Sequence, residues 1–122
     1  MICQCSVHSA TIVGVEALPV DVEVVISQGL PGFTIVGMTD AAIQEARERV
    51  RAALRSSGFS MPGDKIVVNL APGSLKKRGS GFDLPIALGI LIASGQVSAQ
   101  VASRTLFVGE LSLDGCVKPV PG

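Results

Sequence analysis

The 122-residue sequence has no tryptophan and no tyrosine, and its four phenylalanines are few for a chain of this length. A surface that binds single-stranded nucleic acid by stacking needs several exposed aromatic rings, so this composition argues against such a platform. Charged residues are also scarce, at 16% of the chain against about 25% in an average soluble domain. We therefore predict that other domains or subunits cover part of the surface.

An excess of charge of either sign is also missing, since ten basic residues balance ten acidic ones. The whole chain therefore exerts no general attraction on nucleic acid or membrane, and any anion site must be local. The N-terminus lacks the basic and apolar regions of a signal peptide. The longest apolar run, residues 84–93, is about half the length that spans a bilayer. We predict no contact with a membrane.

Cysteine occurs three times, and an odd number argues against a disulfide framework and for a reducing, cytoplasmic location. Cys3, Cys5, His8 and Cys116 together offer the side chains of a zinc site. On an extended strand, however, Cys3 and Cys5 share one face and His8 takes the other. We predict no metal site and no cofactor in this chain.

Apolar residues make up 48% of the sequence, enough for one folded domain over residues 1–122. Residues 20–26 alternate apolar and acidic side chains, which predicts a half-buried antiparallel strand. Leu18-Pro19 is expected to separate it from an earlier strand over residues 7–15. Further strands are predicted over 33–36, 65–70 and 106–108, with a hairpin over 111–117.

Two helices are predicted, one capped by Asp40 and the other by Asp83. The resulting order is three strands, a helix, a strand, a helix and more strands. That order predicts an α+β fold in two layers, with a mixed β-sheet and two main helices.

The segment between the strand at 65–70 and the second helix is chemically the most suggestive. Three cations precede a Gly-Ser-Gly turn, and loops of this kind at helix N-termini bind anions. The five-residue separation of Gly73 and Gly79, with no lysine following Gly79, excludes a Walker A motif. The alternative is a solvated turn shaped by its glycines. The candidate residues are Lys76, Lys77, Arg78, Gly79, Ser80, Gly81 and the helix cap Asp83.

Ser80 permits a second interpretation, a Ser–Lys hydrolase in which Lys76, Lys77 or Lys118 is the base. Such a lysine must be desolvated enough to lose its proton near neutral pH. We expect Lys76 and Lys77 to lie in solvent beside Arg78, where this condition is not met. A turn role for Ser80 is therefore favoured.

A basic ridge is predicted on the first helix, where Arg47, Arg51 and Arg55 recur every four residues. Such a ridge suits DNA phosphates or an acidic neighbour. Glu48 lies on the same flank and weakens the positive field. The alternative is an ordinary solvated helix face.

Several motifs spread over the chain occur together in one known family. They are Gly29-Leu30-Pro31-Gly32-Phe33, the EARERVRAAL run at 45–54, Val68-Asn69-Leu70-Ala71-Pro72, the GSGFDLPI run at 79–86, and Gly109-Glu110-Leu111. With them, the sequence from about Ser9 to Gly122 resembles the N-terminal domain of the Mg-chelatase-like AAA+ ATPases, the YifB/ComM family.

The resemblance implies the fold of the Lon proteolytic domain, which also occurs in a small-subunit ribosomal protein. In that register Gly81 takes the place of the Lon nucleophile, and the Lon lysine falls just past Gly122, so proteolysis is not implied. The resemblance also implies a longer chain whose AAA+ domain binds ATP and Mg²⁺. The implied partners are that domain, neighbouring subunits of a ring and DNA, as in branch migration during natural transformation.

The sequence thus predicts a non-catalytic Lon-like accessory domain that serves assembly or DNA engagement. Its phosphate contacts are predicted to come from Lys76, Lys77 and Arg78, helped by Arg47, Arg51 and Arg55. A Ser–Lys hydrolase and a purely structural oligomerisation module remain as alternatives.

Overall fold

Two long strands open the chain, β1 (Ile2–Val13) and β2 (Glu16–Ser27), followed by a short strand β3 (Gly32–Val36) and helix α1 (Asp40–Ser56). The computed structural model describes residues 2–73, 77 and 79–120. The remaining elements are β4 (Lys65–Ala71), α2 (Asp83–Ala93), a 3-10 turn (Ala99–Ala102), β5 (Glu110–Leu111) and β6 (Val117–Lys118).

The first four strands form one sheet in the order β1-β2-β4-β3. β1 with β2 and β2 with β4 are antiparallel, whereas β3 runs parallel to β4, so the sheet is mixed. Along β2, Val20, Val22 and Val24 are buried while Asp21 and Glu23 are exposed. The predicted half-buried antiparallel strand is confirmed.

Both helices pack on the face of the sheet that carries these valines. α2 lies against β1 and β2, and α1 lies against α2 and β3. Gly89 permits the close approach of α2, because a Cβ atom there would lie 2.5 Å from Cγ2 of Val24. The predicted two-layer α+β architecture is confirmed, with the opposite face of the sheet carrying exposed polar side chains such as His8 and Thr34.

Three local expectations were wrong. The first hairpin turns at Gly14-Val15 rather than breaking at Leu18-Pro19, since β2 already begins at Glu16. Residues 106–108 form only an isolated bridge between Leu106 and His8, because the chain then leaves the sheet. Asp40 lies inside the first turn of α1, after Thr39, where its carboxylate still complements the helix dipole.

Neither helix in the described ranges is long and apolar enough to cross a membrane.

Candidate functional site

Lys77, expected in solvent, is buried, with 2% of its surface exposed. Its ammonium donates to the carbonyl oxygen of Leu70 at 2.7 Å and to that of Pro72. Leu70 lies in the last residues of β4 and Pro72 directly follows the strand, and an ammonium with three N–H groups can donate to both carbonyls. The expectation of a solvated Lys77 was therefore wrong, and in this arrangement its charge is not available to a phosphate.

The main chain of Lys77 is also held, which explains why its side chain points inward. Its amide donates to the Gly37 carbonyl at 3.0 Å, and its carbonyl accepts from the Thr39 amide at 3.1 Å. Burial lowers the pKa of the Lys77 ammonium. Lys77 thus ties the loop after β4 to the segment that leads into α1.

Lys76 and Arg78 lie outside the described residues, so their role as anion contacts stays a prediction.

The Gly-Ser-Gly turn directly precedes α2 and is closed by main-chain bonds. Gly79 has a φ of 91°, a left-handed conformation that glycine adopts without strain. The Gly81 carbonyl accepts from Gly109 at 2.8 Å, and the Ser80 carbonyl accepts from the Asp83 amide at 3.2 Å. A Cβ atom on Gly81 would lie 3.2 Å from Cγ1 of Val108, so glycine at 81 lets the later segment approach.

Asp83 is not the cap of α2 that the sequence predicted. It lies inside the helix, after Phe82, and its fully buried carboxylate accepts from Arg49 Nε at 2.6 Å and Nη2 at 3.2 Å. The same carboxylate accepts from the Leu111 amide at 3.1 Å. The cap prediction fails because the carboxylate of Asp83 is bound by the half-buried guanidinium of Arg49 and by the Leu111 amide rather than by amides of the first helical turn.

Electrostatics within this ion pair favour the charged arginine. The hydrogen bond to Asp83 raises the pKa of Arg49. Burial raises the pKa of the Asp83 carboxyl, and the bonds from Arg49 and Leu111 offset part of that rise. Arg49 also lies 3.7 Å from the exposed Glu45, the partner that i,i+4 spacing on α1 indicates. The stronger partner, Asp83, was not predicted because it lies 34 residues further along the sequence.

The structure brings Arg47, Arg51 and Arg55 together beside β3, and we call these three residues the arginine strip. Arg47 Nη1 donates to the Phe33 carbonyl at 3.1 Å, and the Arg51 guanidinium lies 5.6 Å from the centre of the Phe33 ring. Arg55 is exposed. Arg51 and Arg55 line a cleft of about 290 Å³.

Opposing charge at the arginine strip is slight. In the part of the chain that the structure describes, its one ion-pair partner is Glu48, whose Oε1 lies 4.0 Å from Arg51 Nη1. Glu48 is itself largely exposed, so this pair is weak. The strip therefore keeps a local positive field although the chain is neutral overall.

A groove of about 600 Å³ lies between β1 and the Gly-Ser-Gly turn. Among the described residues its lining is uncharged, with Ala10 and Ile12 on one side and Phe82 and Val108 on the other. Two of its lining side chains, Ile12 and Val108, are large, apolar and exposed, and the exposed Leu106 is bridged to β1 at His8. This groove was not predicted from the sequence. The low content of charged residues indicated that part of the surface is covered, but it did not indicate which part.

Within residues 2–73, 77 and 79–120, no set of catalytic side chains surrounds Ser80. No lysine or histidine side chain there is hydrogen-bonded to its hydroxyl, and Lys118 is exposed on β6. His8 pairs with Asp21 at 3.0 Å on the open face of the sheet. The same ranges contain no cluster of three metal-binding side chains.

Comparison with known proteins identifies relatives of the whole domain. The sequence profile described as subunit ChlI of Mg-chelatase matches residues 22–122. An uncharacterized protein of Escherichia coli, YifB, is 48% identical over 116 residues, and the competence protein ComM of Haemophilus influenzae is 47% identical over 116. An uncharacterized protein of Mycobacterium tuberculosis is 42% identical over 114 residues.

These alignments cover 93–95% of this chain but 23% of each relative, so the chain spans about a quarter of their length. The matches confirm the resemblance that the motifs indicated, while a Lon-like fold stays a prediction. The chain belongs to the Mg-chelatase ChlI-like family, together with the YifB and ComM proteins.

Proposed function

We propose that this chain is a non-catalytic accessory domain of a larger, cytoplasmic Mg-chelatase-like AAA+ ATPase and that it engages DNA through the arginine strip. The observation that carries the proposal is the set of three guanidinium groups on one side of α1 with a single, weakly held carboxylate beside them. Lys76 and Arg78 are proposed as additional contacts.

The geometry of the strip suits a run of phosphates. Residues four apart on a helix are about 6 Å apart along its axis, so the three arginines follow one line. Guanidinium groups bind phosphate oxygens with charge-assisted bonds, and such contacts fix position without reading sequence. The supported activity is thus salt-dependent binding with little sequence preference.

Nucleotide binding is assigned to another part of the larger protein. The one loop here with a strand–glycine–helix order lacks the Walker lysine, and Lys77 is held by the carbonyls of Leu70 and Pro72. These residues do not fit ATP and Mg²⁺. We place that site in an AAA+ domain among the three quarters of the relatives' length that this chain does not match.

The test of DNA binding compares two variants with the same change in charge. Arg51→Gln/Arg55→Gln removes two charges from the strip, and Arg104→Gln/Lys118→Gln removes two exposed charges elsewhere. Affinity for a short DNA duplex is measured by fluorescence anisotropy at several salt concentrations. We expect the strip variant to lower the slope of log K against log salt by about 1.8, at about 0.9 per phosphate contact. Equal slopes for the two variants would remove the DNA role.

A second proposed role, assembly, has its own support. Ile12 and Val108 line the groove and are 55% and 36% exposed, and Leu106, bridged to β1 at His8, is 54% exposed. Exposed apolar surface of this kind marks protein interfaces. The proposed partners are the AAA+ domain of the same chain and neighbouring subunits of a ring. Deleting this domain from the longer protein is then expected to disrupt the ring.

A further inference from the structure

Phe33 contacts two of the three arginines of the arginine strip. Its carbonyl accepts from Arg47 Nη1 at 3.1 Å, and the Arg51 guanidinium lies over its ring, 5.6 Å from the ring centre. A cation at this distance from an aromatic face is attracted by the electrons of the ring. Phe33 therefore holds Arg51 through its side chain and Arg47 through its main chain.

Phe33 is itself fixed in the fold. It belongs to β3, where it pairs with Ile66 of β4, and its side chain is buried, with 4% of its surface exposed. A ring packed in this way on a strand has little freedom to move. The guanidinium that lies over it is therefore held against a rigid support.

Arg55, on the same side of α1, lacks such a support. It is exposed, and within the described ranges its guanidinium makes no hydrogen bond, ion pair or aromatic contact. Glu48 does not hold Arg51 in place of Phe33, because its Oε1 lies 4.0 Å from Arg51 Nη1, beyond hydrogen-bond distance. The strip thus combines one arginine that the ring of Phe33 orients with one that no described residue orients.

We propose that Phe33 is a positioning residue for DNA binding, which presents the Arg51 guanidinium to one backbone phosphate, whereas Arg55 contributes charge without a fixed geometry. The inference rests on the DNA role proposed above and divides that role among the arginines. A planar guanidinium donates two N–H groups to two oxygens of one phosphate, which a lysine ammonium cannot do. Holding Arg51 in place before binding lowers the entropy that binding costs.

The test replaces each arginine by lysine, which retains the charge and the helix propensity. Arg51→Lys loses the planar group over Phe33, and Arg55→Lys, one turn further along α1, is the matched control. Fluorescence anisotropy measures the affinity for a short DNA duplex at several salt concentrations. We expect Arg51→Lys to weaken binding about three- to tenfold and Arg55→Lys less than about twofold. The slope of log K against log salt is expected to stay that of the parent in both, because no charge is removed.

Phe33→Leu tests the positioning residue directly. Leucine keeps an apolar side chain in the buried position and leaves the main-chain carbonyl for Arg47, but it removes the ring beneath Arg51. We expect Phe33→Leu to weaken binding, and to weaken it less than about twofold further when Arg51→Lys is already present, because both changes remove the same contact. A merely structural role of Phe33 would make the two effects additive. Thermal melting shows that each variant is folded.

Equal affinities of the two lysine variants would overturn the inference, as would additive effects of Phe33→Leu and Arg51→Lys. If Phe33→Leu does not fold, the two lysine variants decide alone, because both arginine side chains reach the surface. The DNA role itself fails, and the inference with it, if Arg51→Gln/Arg55→Gln keeps the salt slope of Arg104→Gln/Lys118→Gln. If that slope falls while the two lysine variants bind equally, only the positioning by Phe33 is wrong.

Discussion

At the scale of single residues, Lys77 differs most from its expected role. A lysine in a run of three cations is here a buried donor to main-chain carbonyls, with its pKa lowered by burial. The number of positive charges that the run presents to a binding partner therefore cannot be determined from the sequence alone. The loop after β4 instead owes part of its shape to this side chain.

Replacing Lys77 by methionine is predicted to destabilise the fold. Methionine fills much of the same space but leaves the carbonyls of Leu70 and Pro72 without their donor. A buried acceptor left unpaired costs about 1–3 kcal/mol. Urea unfolding measures the free energy, and Lys65→Met, at an exposed position on β4, is the control, expected within about 0.5 kcal/mol of the parent. Equal stability of the two variants would contradict a structural role for Lys77.

Ser80 is predicted not to react with a fluorophosphonate probe. Activation of a serine needs a general base within hydrogen-bond reach, and Lys77, the nearest candidate in sequence, is occupied with main-chain oxygens. Labelling is measured by mass spectrometry on the intact chain, with Ser80→Ala as the control. Labelling of the parent that disappears in Ser80→Ala would restore the hydrolase interpretation.

At the scale of elements, the ion pair between Arg49 and Asp83 joins α1, α2 and β5. The carboxylate accepts from α1 through Arg49 and from β5 through the Leu111 amide. It thereby fixes how the two helices and the short hairpin sit together. Local propensity plays no part in this, since the three elements are far apart in sequence.

Arg49→Gln is predicted to cost about 3–5 kcal/mol of unfolding free energy, because it leaves the fully buried carboxylate of Asp83 without its counter-charge. Chemical denaturation with far-UV circular dichroism measures the effect. Glu45→Gln is the matched control: it removes the other, exposed partner of Arg49 and is expected to cost at most about 0.5 kcal/mol. Similar losses of unfolding free energy in both variants would show that the pair of Arg49 with Asp83 stabilises the fold no more than the exposed pair of Arg49 with Glu45.

At the scale of the whole molecule, the fold separates two surfaces of different character. The arginine strip lies on α1 beside β3. The groove, which is uncharged over its described lining, lies along β1, at the opposite end of the sheet order. A charged and an uncharged surface respond differently to solution conditions. The two proposed roles can therefore be separated by experiment.

Raising the salt concentration is predicted to weaken DNA binding and to leave assembly of the longer protein almost unchanged. Contacts with phosphate lose affinity as salt displaces them, whereas apolar and main-chain contacts are little screened. Fluorescence anisotropy with labelled DNA measures DNA binding, and sedimentation of the longer protein without DNA, in the same series of buffers, measures assembly. An assembly that dissociates in parallel with the DNA complex would contradict the assignment of assembly to the apolar surface at the groove.

The sequence by itself determined the strand and helix order, because alternation in β2 and helical spacing in α1 are local patterns that burial on one face requires. It also determined the family, through motifs that extend over nearly the whole chain. The arginine strip was predictable for the same reason, since residues four apart share a side of a helix.

Only the tertiary structure decided what the side chains between these elements do. The partners of three side chains are not contained in a local pattern. Lys77 binds main-chain carbonyls at the end of β4, and Arg49 binds Asp83 across 34 residues. The groove beside β1 likewise depends on where the segment after Leu106 leaves the sheet. Burial, distant charge pairs and free strand edges are properties of packed elements, so they could not be predicted from the sequence.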